Sequence, residues 1–328
     1  AYGPGGRHRL DVGREGGGPG EYANPDGIAV LPDGRLLVRD PGNARISVYS
    51  SDGVYLEAWD HPTGGGFNTD ATFWVDTAGT AWVSTLADFG KPPWEWEFIL
   101  IGVDSTGAVI DTVPAPTFAY EPARLTASRE NSSSVRRVPF TAQTVWSFSP
   151  FGYTVGAVTD RYAVHLFRRD APVLRIERAG AEPVPVLPEE AAERRARITA
   201  GLQRQYGSWR WNGPDVPATK PPLRDLFVDD DGRIWVVVSR PGRAVMTEAE
   251  AEAEAARSGR PTLRFEEPVA LEVFDREGRF LGPVRAPSGF RVDPRPVIRG
   301  QDVWAVVRDE LGVPQVVRYR LVGANESP

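Results

Sequence analysis

One four-strand rhythm recurs along this chain, and no other feature limits its fold as strongly. The first copy includes "NPDGIAVLP" and "DGRLLVRDPGNARISVYSSDGVYLEAW", which read as strand, Asp33-Gly34 turn, strand, loop, strand, Asp52-Gly53 turn, strand. The same order returns at 71–113, 144–178, 224–284 (broken after 239 and resumed at 270) and 295–322. Gly34, Gly79, Gly152 and Gly232 hold matching turn positions in these copies. Each copy predicts a four-stranded antiparallel meander too small to bury both of its faces. Packing such meanders radially against one another is the propeller solution.

The last copy reads as three strands, and the alternating "HRLDVG" (8–13) is otherwise unassigned. It is expected to pair as the outer strand of the last blade, closing the ring and removing an open edge. The stretch "GREGGGPGEYANPDGIAVLPDGRLLVRDPGNARISVYSSDGVYLEAW" (13–59) resembles an NHL-type repeat of the six-bladed propeller superfamily. It is similar to bacterial secreted propellers. The resemblance is sharp across this first copy and looser beyond it. It implies an all-β, six-bladed β-propeller in a single domain, 1–328, and a periplasmic or secreted location. Five copies are clear, so a degenerate sixth blade is expected within 114–143, where "ARLTAS" and "VRRVPF" can form a hairpin. A five-bladed ring is the alternative, as is a blade preceding residue 1.

Composition narrows the function classes. No run approaches the 18 apolar residues of a membrane-spanning helix, so no transmembrane segment is expected. Residues 1–9 are polar and glycine-rich, without signal-peptide character, which still fits a cleaved mature chain. The absence of cysteine rules out disulfides, thiolate metal sites and a cysteine nucleophile.

In an up-and-down blade with strands a to d, the a–b and c–d turns share one side, and the b–c loops and d–a crossovers share the other. Here the a–b and c–d connections are short. The long insertions, 84–97, 114–143, 181–222 and 240–268, all fall on the b–c and d–a side. Loops mounted on a rigid scaffold are where binding sites concentrate. Two of these insertions predict helices. Residues 188–206 begin with Pro and acidic residues and carry the stripe Ile198, Leu202, Tyr206. Residues 246–259 offer Thr247 and Glu250 as a capping box, Gly259 as a stop, and a small face of Ala249, Ala253 and Ala256.

Aromatic pairs mark the same insertions. "PPWEWEF" (92–98) places Trp94 and Trp96 on one face of an expected strand, and "SWRWNG" (208–213) repeats the device with Trp209 and Trp211. Such side chains either pin the loops to the scaffold or form a partner hot spot, where Trp and Arg are enriched. Trp94, Trp96, Trp209 and Trp211, with Tyr206 and Arg210, are the candidate binding residues.

Catalytic signatures are sparse. The three histidines, His8, His61 and His165, show no ligand spacing. "DDDG" (229–232) sits at a strand turn and lacks the later glutamate of a calcium loop. "GREGGGPG" (13–20) matches neither nucleotide-binding glycine pattern. With a net charge of −6, the chain is a poor nucleic-acid binder, and "VRRV" (135–138) and "ERRARI" (193–198) read as solvated charge. The expected function is a non-catalytic protein-binding or scaffold propeller without a cofactor. It would serve as an accessory subunit docked on the extracytoplasmic side of a membrane protein complex. The alternative is a divalent-metal lactonase or lyase using Asp40, Asp160 and Asn43.

Overall fold

The structure, a computed structural model, describes residues 1–3, 5–60, 73–88, 90–91, 95–130, 132–308 and 312–323. It divides into two compact units, residues 1–117 with 150–152 and residues 118–149 with 153–328.

The first unit holds two four-stranded antiparallel meanders. One is β1 (Gly27–Val30), β2 (Leu36–Asp40), β3 (Arg45–Tyr49) and β4 (Tyr55–Asp60). The other is β5 (Phe73–Val75), β6 (Ala81–Leu86), β7 (Phe98–Val103) and β8 (Val109–Pro114). β-Branched, leucine and aromatic residues dominate the strands, as a half-buried pleated surface requires. Leu37, Ile46, Val48 and Trp59 of the first sheet pack on Phe73, Ala81, Val83 and Val103 of the second. That contact buries the apolar face neither sheet can hide alone.

An aspartate fixes the β5–β6 turn. Asp76 Oδ1 accepts the amides of Ala78 and Thr80, and Oδ2 accepts the indole N–H of Trp82 at 2.8 Å. Gly79 occupies the left-handed region at φ 86°, which a β-carbon would strain.

The N-terminal segment departs from expectation. Residues 8–13 form no ladder strand; His8 makes only an isolated bridge with Tyr2. The Arg9 amide donates to the Ala1 carbonyl and the Gly3 amide to Arg7, so this stretch uses its backbone groups locally. Leu10 and Val12 then lie against the Gly53 turn of the first sheet. The chain spends these apolar side chains on that turn rather than on strand pairing.

The second unit begins with a hairpin, β9 (Arg124–Arg129) and β10 (Ser132–Arg137). A four-stranded meander follows: β11 (Thr144–Phe148), β12 (Thr154–Val158), β13 (Ala163–Phe167) and β14 (Leu174–Glu177). Helix α1 (Pro188–Tyr206) leads to a second meander, β15 (Leu223–Val228), β16 (Ile234–Val238), β17 (Ala270–Phe274) and β18 (Phe280–Arg285). Helix α2 (Glu248–Ser258) lies in the long β16–β17 connection. The last sheet has three strands, β19 (Val297–Arg299), β20 (Asp302–Arg308) and β21 (Pro314–Arg320). Val155, Val164 and Leu166 pack on Leu226, Ile234 and Val236 between the first two sheets. Phe227, Trp235 and Val273 pack on Ile298, Val303 and Ala305 between the second and third.

The fold is thus all-β with few helices, and five blades of the propeller type are present among the described residues. The expected sixth blade resolves differently. Residues 124–137 do form the anticipated hairpin, but it stays two-stranded, and α1 covers it: Leu125, Ala127 and Val138 pack against Leu202, Tyr206 and Trp209. A helix supplies the cover that a neighbouring blade would have given.

Candidate functional site

Helix α1 is held at both ends, and its position shapes the second unit. Near its N-terminus, Glu190 is sealed from solvent and meets the equally buried Lys220 Nζ at 2.9 Å. Lys220 also donates to Glu267 at 3.1 Å and to the Arg240 carbonyl at 3.2 Å. Its ammonium sits 4.9 Å from the centre of the Phe140 ring, a cation–π arrangement. Phe140 has φ 60°, an uncommon left-handed geometry for a bulky residue, just beyond the hairpin's end. Toward the C-terminus of α1, Ile198, Leu202 and Tyr206 lie in the hairpin–helix cluster. The Tyr206 hydroxyl meets Ser134 Oγ at 2.8 Å, and the Trp209 indole donates to the Thr126 carbonyl at 2.7 Å.

With one stripe of α1 buried, the neighbouring stripe, Arg194, Arg197, Gly201 and Gln205, faces a cleft of about 1310 Å³. Residues 136–141 beyond β10 form a second wall. The two limbs of the β16–β17 insertion, near 239–243 and 263–269, and the β18–β19 crossover at 286–293 complete it. Three insertions from distant parts of the sequence therefore wall one cleft, and they belong to the loop classes expected on the elaborated side. Gln143, just beyond the second wall, donates from Nε2 to the Arg224 carbonyl of β15 at 2.9 Å.

The cleft is electropositive. Eight basic side chains line it against four acidic ones. Arg136, Arg137, Arg194, Arg197 and Arg243 have no carboxylate within 4.0 Å among the described residues. The acids, in contrast, are mostly engaged: Asp225 with Arg295 at 3.1 Å, Glu267 with Lys220 at 3.1 Å and Glu266 with Arg291 at 3.8 Å. Uncompensated guanidinium groups thus gather on a chain whose net charge is −6.

The candidate residues from the sequence are placed elsewhere. Trp94, like His61, lies outside the described residues. Trp96 is half-buried in the first unit, its indole donating to the Lys91 carbonyl at 2.9 Å, and it precedes β7 rather than lying in a strand. Trp209 and Tyr206 are buried. Trp211 is half-buried, edge-on to Trp209 at 6.4 Å and beneath Arg195 at 4.8 Å, while Arg210 is exposed. None of these five lines the cleft.

The carboxylates of the metal alternative have other partners. In the first unit Asp40 is fully buried and accepts the Asn24 amide at 2.8 Å, the Ala23 amide at 3.1 Å and the Asn43 side-chain amide at 2.7 Å. In the second unit Asp160 pairs with its neighbour Arg161 at 3.3 Å. Among the described residues no three His, Asp or Glu side chains are grouped to hold a metal ion. The "DDDG" turn repeats the Asp76 device: Asp229 accepts the amides of Asp231 and Arg233 and the Trp235 indole.

The cleft was legible only in part. "VRRV" and "ERRARI" were visible as separate basic spots. The usable signal was the stripe Ile198, Leu202, Tyr206, which fixes the buried side of α1 and so turns Arg194 and Arg197 toward a shared face.

No protein-family model matches the chain, and no curated protein matches it. Solved structures to which the chain shows similarity include a member of the DUF4221 family from Bacteroides vulgatus, at 8% identity and TM-score 0.39, covering 96% of this chain and 83% of that one. Another is a catalytically inactive virginiamycin B lyase from Staphylococcus aureus with quinupristin, at 10% identity and TM-score 0.35, covering 89% and 83%. A gluconolactonase from Xanthomonas campestris aligns at 12% identity and TM-score 0.32, covering 86% and 69%.

Proposed function

We propose that this protein is a non-catalytic binding module that docks a partner protein in the cleft of its second unit. The observation that carries this reading is the meeting of separate insertions around one cleft of about 1310 Å³. That volume exceeds the roughly 300–1,000 Å³ of small-molecule sites and suits a segment of polypeptide. Trp209 and Tyr206 serve as anchors that hold α1 in the cleft wall, and Arg210 with Trp211 extends the contact surface beyond its rim. The accessory-subunit role follows from the elaboration of one loop side, the periplasmic or secreted location from the NHL-type resemblance of residues 13–59, and both belong to the same proposal. No helix among the described residues is long and apolar enough to cross a membrane.

Gly201 supplies the test. It lines the cleft from α1, and a β-carbon there would meet no atom within 4 Å. Gly201→Trp therefore sets a bulky ring on the cleft wall at a position with room for its β-carbon, and it removes a residue of poor helix propensity. Affinity capture from the native membrane fraction, with quantitative mass spectrometry, compares this variant with the wild type. A stoichiometric partner lost only from Gly201→Trp supports the proposal; a partner retained equally by both places the interface elsewhere.

A further inference from the structure

We infer that the cleft recognises an acidic, extended polypeptide segment, its carboxylates taken by Arg136, Arg137, Arg194, Arg197 and Arg243. The inference rests on the binding-module reading and adds the chemistry of the ligand. Guanidinium groups present paired N–H donors that match a carboxylate bidentately. These five have no carboxylate within 4.0 Å among the described residues, whereas Arg224 and Arg291 of the same lining are paired with Glu267 and Glu266. They come from three elements: residues just at the end of the hairpin, helix α1, and the β16–β17 insertion. A ligand that reaches all three spans the cleft rather than filling one corner.

The rest of the lining selects among polyanions. Glu266, Asp225 and Asp293 line the same cleft and disfavour a phosphodiester backbone carrying a charge at every step. Single-stranded nucleic acid also wants open aromatic faces for stacking. Here Phe140 is already faced by Lys220 and Arg194, and Phe290 is buried. Pro139, Ile198, Leu263 and Val292 supply apolar surface instead. A peptide mixing carboxylates with apolar side chains and backbone amides meets all of these demands, its amides reaching the cleft's own carboxylates.

The test is fluorescence anisotropy on the full chain with a labelled peptide of about ten residues mixing Glu, Leu and Ser, an extended ligand of the kind grooves accept. Its Gln-for-Glu counterpart and a labelled oligothymidylate of matched charge are the controls. The Glu peptide should bind, bind more weakly as salt screens the charges, and exceed both controls. Its affinity should fall at least about tenfold in the double variant Arg137→Glu/Arg197→Glu, a step of one decade in Kd. It should be unchanged in Arg279→Glu, an exposed arginine at the β17–β18 turn outside the cleft. Circular dichroism confirms that each variant is folded. Equal binding of the Gln peptide, tighter binding of the oligothymidylate, or no binding of the Glu peptide overturns the inference. If Gly201→Trp still abolishes partner capture in those cases, the cleft stands as the docking site and only its acidic specificity falls. If Gly201→Trp leaves capture intact, the docking proposal itself has failed.

Discussion

Lys220 and Glu190 form a 2.9 Å ion pair with both side chains at 1% exposure, which ties the first turn of α1 to the strand segment before β15. The pair is asymmetric, because Glu267 shares the same ammonium at 3.1 Å. Removing Lys220 leaves two carboxylates facing each other with little water. Lys220→Met should therefore cost about 3–5 kcal/mol, the usual penalty for breaking a buried pair from one side. Adding Glu190→Leu should recover a large part of it. Urea unfolding of the single and double variants checks this, and a loss below about 1 kcal/mol for Lys220→Met would show the pair to be solvated.

Adjacent residues in the "SWRWNG" segment should separate cleanly. Trp209 is buried against Leu125 and Leu202 and spends its indole N–H on Thr126. Trp209→Ala should destabilise the second unit by about 3–5 kcal/mol through cavity formation. Arg210→Ala should stay within about 0.5 kcal/mol of wild type. Thermal melts of the two variants make the comparison. Equal melting temperatures would mean that Trp209 does not hold the hairpin and helix together.

The aspartate turns predict a second stability site. Asp229 Oδ2 receives the Trp235 indole at 2.8 Å and the Arg233 side chain at 2.6 Å, while Oδ1 receives two backbone amides. Asp229→Ala leaves these donors unmatched and should cost about 2–3 kcal/mol. Gly232→Ala, at φ 80°, should cost about 1–2 kcal/mol for the left-handed backbone alone. Denaturant midpoints of both variants test the device.

His165 gives the fold a pH dependence of defined sign. It lies on β13 beside Phe118 at 5.7 Å and Phe167 at 6.2 Å. Burial lowers its pKa, and the positive charge of nearby Arg175 adds to the effect. The unfolded chain, with a histidine pKa near about 6.5, therefore binds the proton before the folded one does. Stability attributable to His165 is full above that pH and falls as the pH drops through it. His165→Gln should flatten the slope of unfolding free energy between about pH 7.5 and pH 5.5. An unchanged slope would assign it to other groups.

How much could be seen in advance depended on whether the deciding interaction was local. Strands bounded by aspartate–glycine turns and the limits of α1 follow from near neighbours in sequence, and both were legible. So was the α2 capping box, with Thr247 Oγ1 accepting from the Glu250 amide. The buried face of α2 was not: Ala251 is covered while Ala249, Ala253 and Ala256 are exposed, and the alanine spacing alone does not choose between these faces. The fate of the 124–137 hairpin depended on a helix some sixty residues away, and that of residues 8–13 on an apolar turn at Gly53. The cleft needs the hairpin end, α1 and the β16–β17 insertion placed together, so its arginines looked like scattered charge.

Hydrogen exchange read with and without the captured partner tests the central claim most directly, since docking slows the opening of the elements it covers. Binding at the cleft should slow exchange in α1 from 194 to 205, in 136–141 and in the 286–293 crossover. Protection confined to the first unit, or to the outer face bearing Arg210 and Trp211, would contradict it.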